Sequence, residues 1–82
     1  MNDLRGHAVD EMRVLERQLG VINDGLLSET GGGHQYTMIW QGQWKDVDGY
    51  VRIDVMFLED DYEFVIEPWF RSLENEAWEE IY

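Results

Sequence analysis

The stretch that decides the fold is residues 3–27, DLRGHAVDEMRVLERQLGVINDGLL. Leu4, Ala8, Met12, Leu15, Leu19, Ile22 and Leu26 recur in it at intervals of three or four residues. At about 100° per residue these side chains fall within an arc of roughly 80°, the mark of a single amphipathic helix. Asn2 or Asp3 caps its start, where the helix dipole also favours the Asp3 carboxylate. Gly6, Gly20 and Gly25 lie off the stripe, and each costs about 1 kcal/mol against Ala. A break at Gly20, with Asn23-Asp24-Gly25 as a turn, is the competing reading. The unbroken phase through Ile22 and Leu26 favours a continuous helix, with Ser28 to Gly33 as a flexible connector.

Beyond the connector the period drops to two. Tyr36, Met38, Trp40 and Trp44 alternate with Thr37, Gln41 and Gln43, which predicts a half-buried strand over Tyr36–Trp44. Lys45 to Gly49 reads as a hairpin turn with Gly49 at positive φ. A second strand, Tyr50–Leu58, turns Val51, Ile53, Val55 and Phe57 inward and Arg52 and Asp54 outward. Glu59-Asp60-Asp61 reverses the chain into a third strand, Tyr62–Glu67. Its Glu63 and Glu67 face outward, and Pro68 ends it because proline cannot donate to a ladder. Ser72 caps a short helix from Leu73 to about Ile81. The expected fold is α+β: a long N-terminal helix on a three-stranded antiparallel meander, with a short C-terminal helix.

Eighty-two residues make one domain, 1–82. Eleven aromatic residues and a 44 % apolar fraction exclude disorder. With no cysteine, disulfides and zinc–thiolate sites are impossible. The N-terminus lacks the basic and apolar segments of a signal peptide, and no apolar run approaches the roughly 18 residues of a membrane span. A cytoplasmic location is expected. The net charge of −12 sets aside nucleic acid and anionic membranes as direct partners and favours a basic protein surface.

Residues 1–34 carry six acids and three bases, whereas residues 46–80 carry twelve acids and two bases. Crowded carboxylates repel one another, so a Lys/Arg-rich surface that docks on them relieves a cost already present in the free protein. Among the twelve, Asp46-Val47-Asp48-Gly49 looks like part of a calcium loop. With Gly49 at the sixth position, however, the first falls on Trp44 and the twelfth on Val55, neither of which can ligate. His7 and His34 have no partner at zinc-ligand spacing. Ser28 and Ser72 sit outside any nucleophile elbow. The triple glycine Gly31-Gly32-Gly33 is followed by no Lys-Ser or Lys-Thr pair. No catalytic, cofactor or metal site is expected, and the chain does not read as an enzyme. Trp69 and Trp78, beside the acidic C-terminal segment, are the aromatic candidates for a contact.

In size, lack of cysteine, charge and the carboxylate run from Asp46 to Glu80, the chain resembles small acidic inhibitors of phages and mobile elements. These are the anti-CRISPR, anti-restriction and other DNA-mimic proteins. The likeness is compositional and transfers no residue. It implies an inhibitor that blocks the basic nucleic-acid-binding surface of a nuclease or CRISPR-type surveillance complex. On this chain the blocking surface would be Asp54, Glu59, Asp60, Asp61, Glu63 and Glu67, assisted by Glu74, Glu76, Glu79, Glu80, Trp69 and Trp78. An immunity protein or antitoxin against a basic toxin, and a homo-oligomeric adaptor using the helix stripe, are the alternatives. The protein itself would be a monomer or homodimer.

Overall fold

The computed structural model describes residues 3–58 and 63–82. Helix α1 spans Leu4–Leu19, and the Asp3 carboxylate accepts the Gly6 N–H at 2.9 Å to cap it. It ends sooner than its apolar phase predicts. Gly20 takes the left-handed conformation (φ 69°) that closes a helix, and the Val21 N–H turns back to the Leu15 carbonyl at 3.3 Å. The remainder of the expected helix is strand β1, Ile22–Gly31. Pairing explains the outcome. The next strand, β2 (Gln35–Trp44), buries Met38 and Trp40, and β1 extends the ladder along its outer edge, pairing backbone groups that would otherwise be left to water. Asn23-Asp24-Gly25 is a β-bulge, not a turn, with the Asn23 Oδ1 accepting the Gly25 N–H at 2.9 Å. A second bulge falls between Leu26 and Ser28, and Ser28 to Gly31 belong to the strand rather than to a connector.

Strand β2 turns into β3 (Val47–Leu58) through Lys45 and Asp46, both at positive φ (54° and 65°), which is the two-residue hairpin geometry. The turn is therefore shorter than expected. Gly49 lies within β3, paired with Gly42 and Ser72, and glycine is required there by space. A Cβ would stand 2.2 Å from the Arg71 carbonyl oxygen.

Strand β4, Glu63–Ser72, runs straight through Pro68. The Pro68 carbonyl accepts the Ile81 N–H at 2.9 Å on the side away from β3. The ring nitrogen points the same way, so no β3–β4 hydrogen bond is lost, and Pro68 does not stop the strand. The expected C-terminal helix is absent. Leu73 and Glu74 form a turn, the Asn75 side chain accepts the Ala77 N–H, and Glu79–Glu80 pair with Phe70 and Trp69 as β5. A helix would have placed Glu79 and Glu80 at its unfavourable C-terminal end, whereas the extended path seats Ile81 against the core.

The outcome is α+β with five strands instead of three, in the order β1-β2-β3-β4-β5, every neighbouring pair antiparallel. α1 lies on one face. Leu4, Ala8, Met12 and Leu15 meet Met38, Trp40, Val51, Ile53, Val55 and Phe70, with Val21 closing the end. Each large side chain buried there contributes about 1.5–3 kcal/mol. The first four residues of the stripe are thereby covered by the chain's own sheet, while Leu19, Ile22 and Leu26 stay exposed. The opposite face carries no layer, as antiparallel sheets allow. No helix among the described residues is long and apolar enough to cross a membrane.

Candidate protein-binding surfaces

The strand registers set out the uncovered face in rows across β2, β3 and β4. From one end they read Gln35–Met56–Val65, Thr37–Asp54–Glu67, Ile39–Arg52–Trp69 and Gln41–Tyr50–Arg71. Glu63 lies on the same face, four residues along β4 from Glu67. The alternation expected for Asp54, Glu63 and Glu67 is therefore what the sheet displays.

Asp54 and Glu67 are cross-strand partners, a like-charge pairing that costs stability. Asp54 is relieved in part. Its carboxylate accepts the Thr37 hydroxyl at 2.8 Å and lies 3.3 Å from the Arg52 Nε, an ion pair without hydrogen-bond alignment. Glu67 makes no ion pair or side-chain hydrogen bond among the described residues.

The two arginines of the acidic half both point onto this face. The Arg52 guanidinium stands 5.1 Å from the Trp69 ring and 4.8 Å from the Trp78 ring. Arg71 stands 4.8 Å from the Tyr50 ring and 5.4 Å from that of Trp78. The Arg71 Nη1 also donates to the Asn75 carbonyl at 3.0 Å. Trp78 is thus clamped between cations, which ties the segment after β4 to the sheet at about 0.5–1 kcal/mol per contact. Trp69 and Trp78 are half-buried, and the Trp69 indole N–H has no acceptor. The face is divided into a carboxylate end and an arginine–aromatic end.

Of the remaining predicted acids, Glu80 joins this face, since it pairs with Trp69 and so extends the Ile39–Arg52–Trp69 row onto β5. Glu59, Asp60 and Asp61 lie outside the described residues. Glu74 and Glu76 are exposed in the segment after β4, and Glu79 and Glu80 are exposed on β5. By register Glu80 is level with Arg52, two residues of β3 from Asp54, and Glu79 is level with Val51, whereas Asp46 and Asp48 lie at the β2–β3 turn. The turn, at Val47, lies seven residues of β3, roughly 23 Å, from Asp54. Asp46 and Asp48 are therefore separated along the sheet from Asp54, Glu67 and Glu80.

The same turn holds features that period and charge did not announce. A cleft of about 700 Å³ is lined by Val14, Gln18, Leu19, Trp44, Lys45, Ile81 and Tyr82. A smaller one of about 300 Å³ shares Trp44 and Lys45 and adds Val47, Phe70, Asn75 and Glu79. Trp44 packs edge-on against Phe70 at 5.7 Å, and the Lys45 Nζ sits 4.3 Å over its ring. Only the path of the C-terminal segment brings Ile81 and Tyr82 here, and no local pattern signals it. Strand alternation alone, by contrast, places Tyr50 and Arg52 beside Asp54.

Elsewhere, the Glu29 carboxylate accepts the Arg5 Nε at 2.6 Å and the Tyr36 hydroxyl at 2.5 Å, joining α1 to β1 and β2. That pair of donors holds the Glu29 carboxyl below its usual range. His7 packs on Phe64 with ring centroids 4.1 Å apart. No group of three His, Cys, Asp or Glu among the described residues is placed to hold a metal ion.

Family models, curated proteins and solved structures give no match to this chain. Function must be argued from the surfaces themselves.

Proposed function

We propose that this chain is an acidic protein-binding inhibitor that docks on the basic nucleic-acid-binding surface of a nuclease or CRISPR-type surveillance complex. The observation that carries the reading is the Asp54–Glu67 pair. The sheet register holds these carboxylates face to face on a side that no other layer covers among the described residues, and Glu67 makes no ion pair among them. A lysine or arginine arriving there gains a charge-assisted contact and removes a repulsion already present in the free fold. Trp69, next along β4 on that face, supplies apolar area beside the charge. The net charge of −12 steers such a partner from a distance and disfavours nucleic acid itself.

Capture on immobilised protein from a candidate host lysate, followed by competition, tests this. A captured partner is expected to elute between 0.1 and 0.5 M NaCl, a range over which the Debye length shrinks from about 10 Å to about 4 Å. Its binding to duplex DNA or guide RNA should be lost in the presence of this chain. The double variant Glu63→Lys/Glu67→Lys should keep the fold and weaken capture at least ten-fold. Capture indifferent to salt, or an unimpaired charge-reversed variant, rejects the proposal.

A further inference from the structure

The sheet ends in two edges of different character. At β1 two bulges, between Asn23 and Gly25 and between Leu26 and Ser28, break the regular run of backbone groups, a device that blunts a strand edge. At the other side β4 follows β3 without a register shift, but β5 pairs only with Trp69 and Phe70. The Ile81 N–H reaches the Pro68 carbonyl from outside, and the Leu73 N–H reaches the Asp48 carbonyl on β3. Backbone direction alternates along a strand, so even-numbered residues of β4 point outward and odd-numbered ones toward β3. Phe64 and Ile66 therefore each present an N–H and a C=O at an edge that no strand among the described residues covers. Their side chains are half-buried on the helix face, where His7 packs on Phe64. On the open face the same stretch carries Glu63 and Glu67, with Asp54 opposite Glu67. Arg52, in the adjoining row, is already shared by Asp54, Trp69 and Trp78.

From this geometry we infer that the outer edge of β4 accepts a short extended segment of the partner as an added strand. The segment lies antiparallel to β4 and in line with β5, and in it apolar residues alternate with lysine or arginine. Two of its residues exchange N–H···O=C bonds with Phe64 and Ile66, and their side chains continue the apolar surface of that pair on the helix face. The residue between them falls opposite Val65 on the open face, diagonal to both Glu63 and Glu67 and within reach of each for a long cationic side chain. The next residue on either side faces Glu63 or Glu67 directly. The added strand thus meets charge on one side and apolar area on the other, which dictates its alternation. A second copy of this chain offering the same edge would set Glu63 and Glu67 against their own kind, and an acidic strand fails for the same reason. The inference rests on the inhibitor reading for the identity of the partner and deepens it. Backbone pairing supplies a directional contact that attraction to the Asp54–Glu67 surface alone lacks.

The test uses the whole chain, ¹⁵N-labelled, with the capped peptide Lys-Val-Lys-Val-Lys. The controls are Glu-Val-Glu-Val-Glu and the lysine peptide N-methylated at both valines, which keeps charge and side chains but cannot donate to β4. In the free chain the Phe64 and Ile66 amides should exchange with solvent faster than those of Val65 and Glu67, which point to β3. The lysine–valine peptide should slow the Phe64 and Ile66 amides by about ten-fold or more at saturation, and each control should bind about ten-fold more weakly or worse. Ile66→Pro removes one edge donor at the same alternation as Pro68, so no β3 bond is lost, whereas Ile66→Ala keeps the donor and removes the side chain. Ile66→Pro should weaken peptide binding beyond Ile66→Ala. If the proline variant does not fold, the N-methylated peptide on the parent chain carries the same comparison. Equal affinity for the N-methylated peptide, or unchanged exchange at Phe64 and Ile66, overturns the added strand. Partner capture that Ile66→Pro leaves intact overturns the edge contact and spares the inhibitor reading. Edge protection by the peptide with no partner captured upholds the edge and faults that reading.

Discussion

Glu11 is a single side chain whose environment makes a measurable difference. It sits on α1 among buried neighbours, its Oε2 is enclosed without a hydrogen-bond partner, and burial pushes its carboxyl above the usual value of 4.5. A carboxyl raised in the folded state binds its proton more tightly there than in the unfolded chain. Stability is therefore full below pH 4.5 and declines as pH rises through the folded value, because ionisation strands a charge. Glu29 has the opposite sign. Its carboxyl is held down by Arg5 and Tyr36, so its contribution is present above 4.5 and lost as pH falls through the lowered value. Glu11→Gln copies the protonated form and isolates one of the two. Denaturant unfolding should find the variant equal to the parent near pH 4 and more stable at pH 7, by about 0.5 kcal/mol or less given its partial exposure. A gain that is larger in acid than at neutrality contradicts this account of Glu11.

At the scale of elements, Gly20 separates what the sequence made legible from what it hid. The first four turns of α1, the facing strands β2 and β3, and the inward set Met38, Trp40, Val51, Ile53 and Val55 were all readable. Each rests on a period that burial of one face enforces. The end of the helix was not readable. Ile22 and Leu26 continue the α1 phase by coincidence, and the force that makes them a strand, the open edge of β2, is supplied by residues far away in sequence. β5 was hidden for the same reason, since its pairing to Trp69 and Phe70 is non-local. Among the site residues, Asp54, Glu63 and Glu67 were legible because alternation fixes their face, whereas Trp69 was not, because the strand was expected to end at Pro68. The placement of Trp78 against Arg52, and of Glu80 beside Trp69, depended on the path after Ser72.

Gly20→Ala puts a sign on this distinction. In a continuous helix the change would stabilise by about 1 kcal/mol. At a left-handed cap with φ 69° it should destabilise by about 1–2 kcal/mol. Thermal or urea unfolding decides between the signs, and a stabilised variant would restore the longer helix.

For the whole molecule the dominant quantity is charge. The fold spans 39 × 25 × 21 Å. At 0.01 M ionic strength the Debye length is about 30 Å, so nearly every carboxylate interacts with every other, whereas at 1 M it is about 3 Å and only adjacent groups do. With a net charge of −12, that repulsion falls on the compact state more than on the extended chain. Sodium chloride should accordingly raise the melting temperature, by about 4–8 °C for each kcal/mol of repulsion removed in a domain of this size. The partner complex should respond in the opposite direction, because the same screening weakens the attraction between the carboxylates and a basic surface. Scanning fluorimetry of the free chain and affinity measurements of the complex over one salt series make the comparison. Opposed slopes follow if the repulsion stored in the free fold is what the partner relieves. A melting temperature flat in salt would mean that the carboxylates hardly sense one another, and the electrostatic motive for docking would disappear with it.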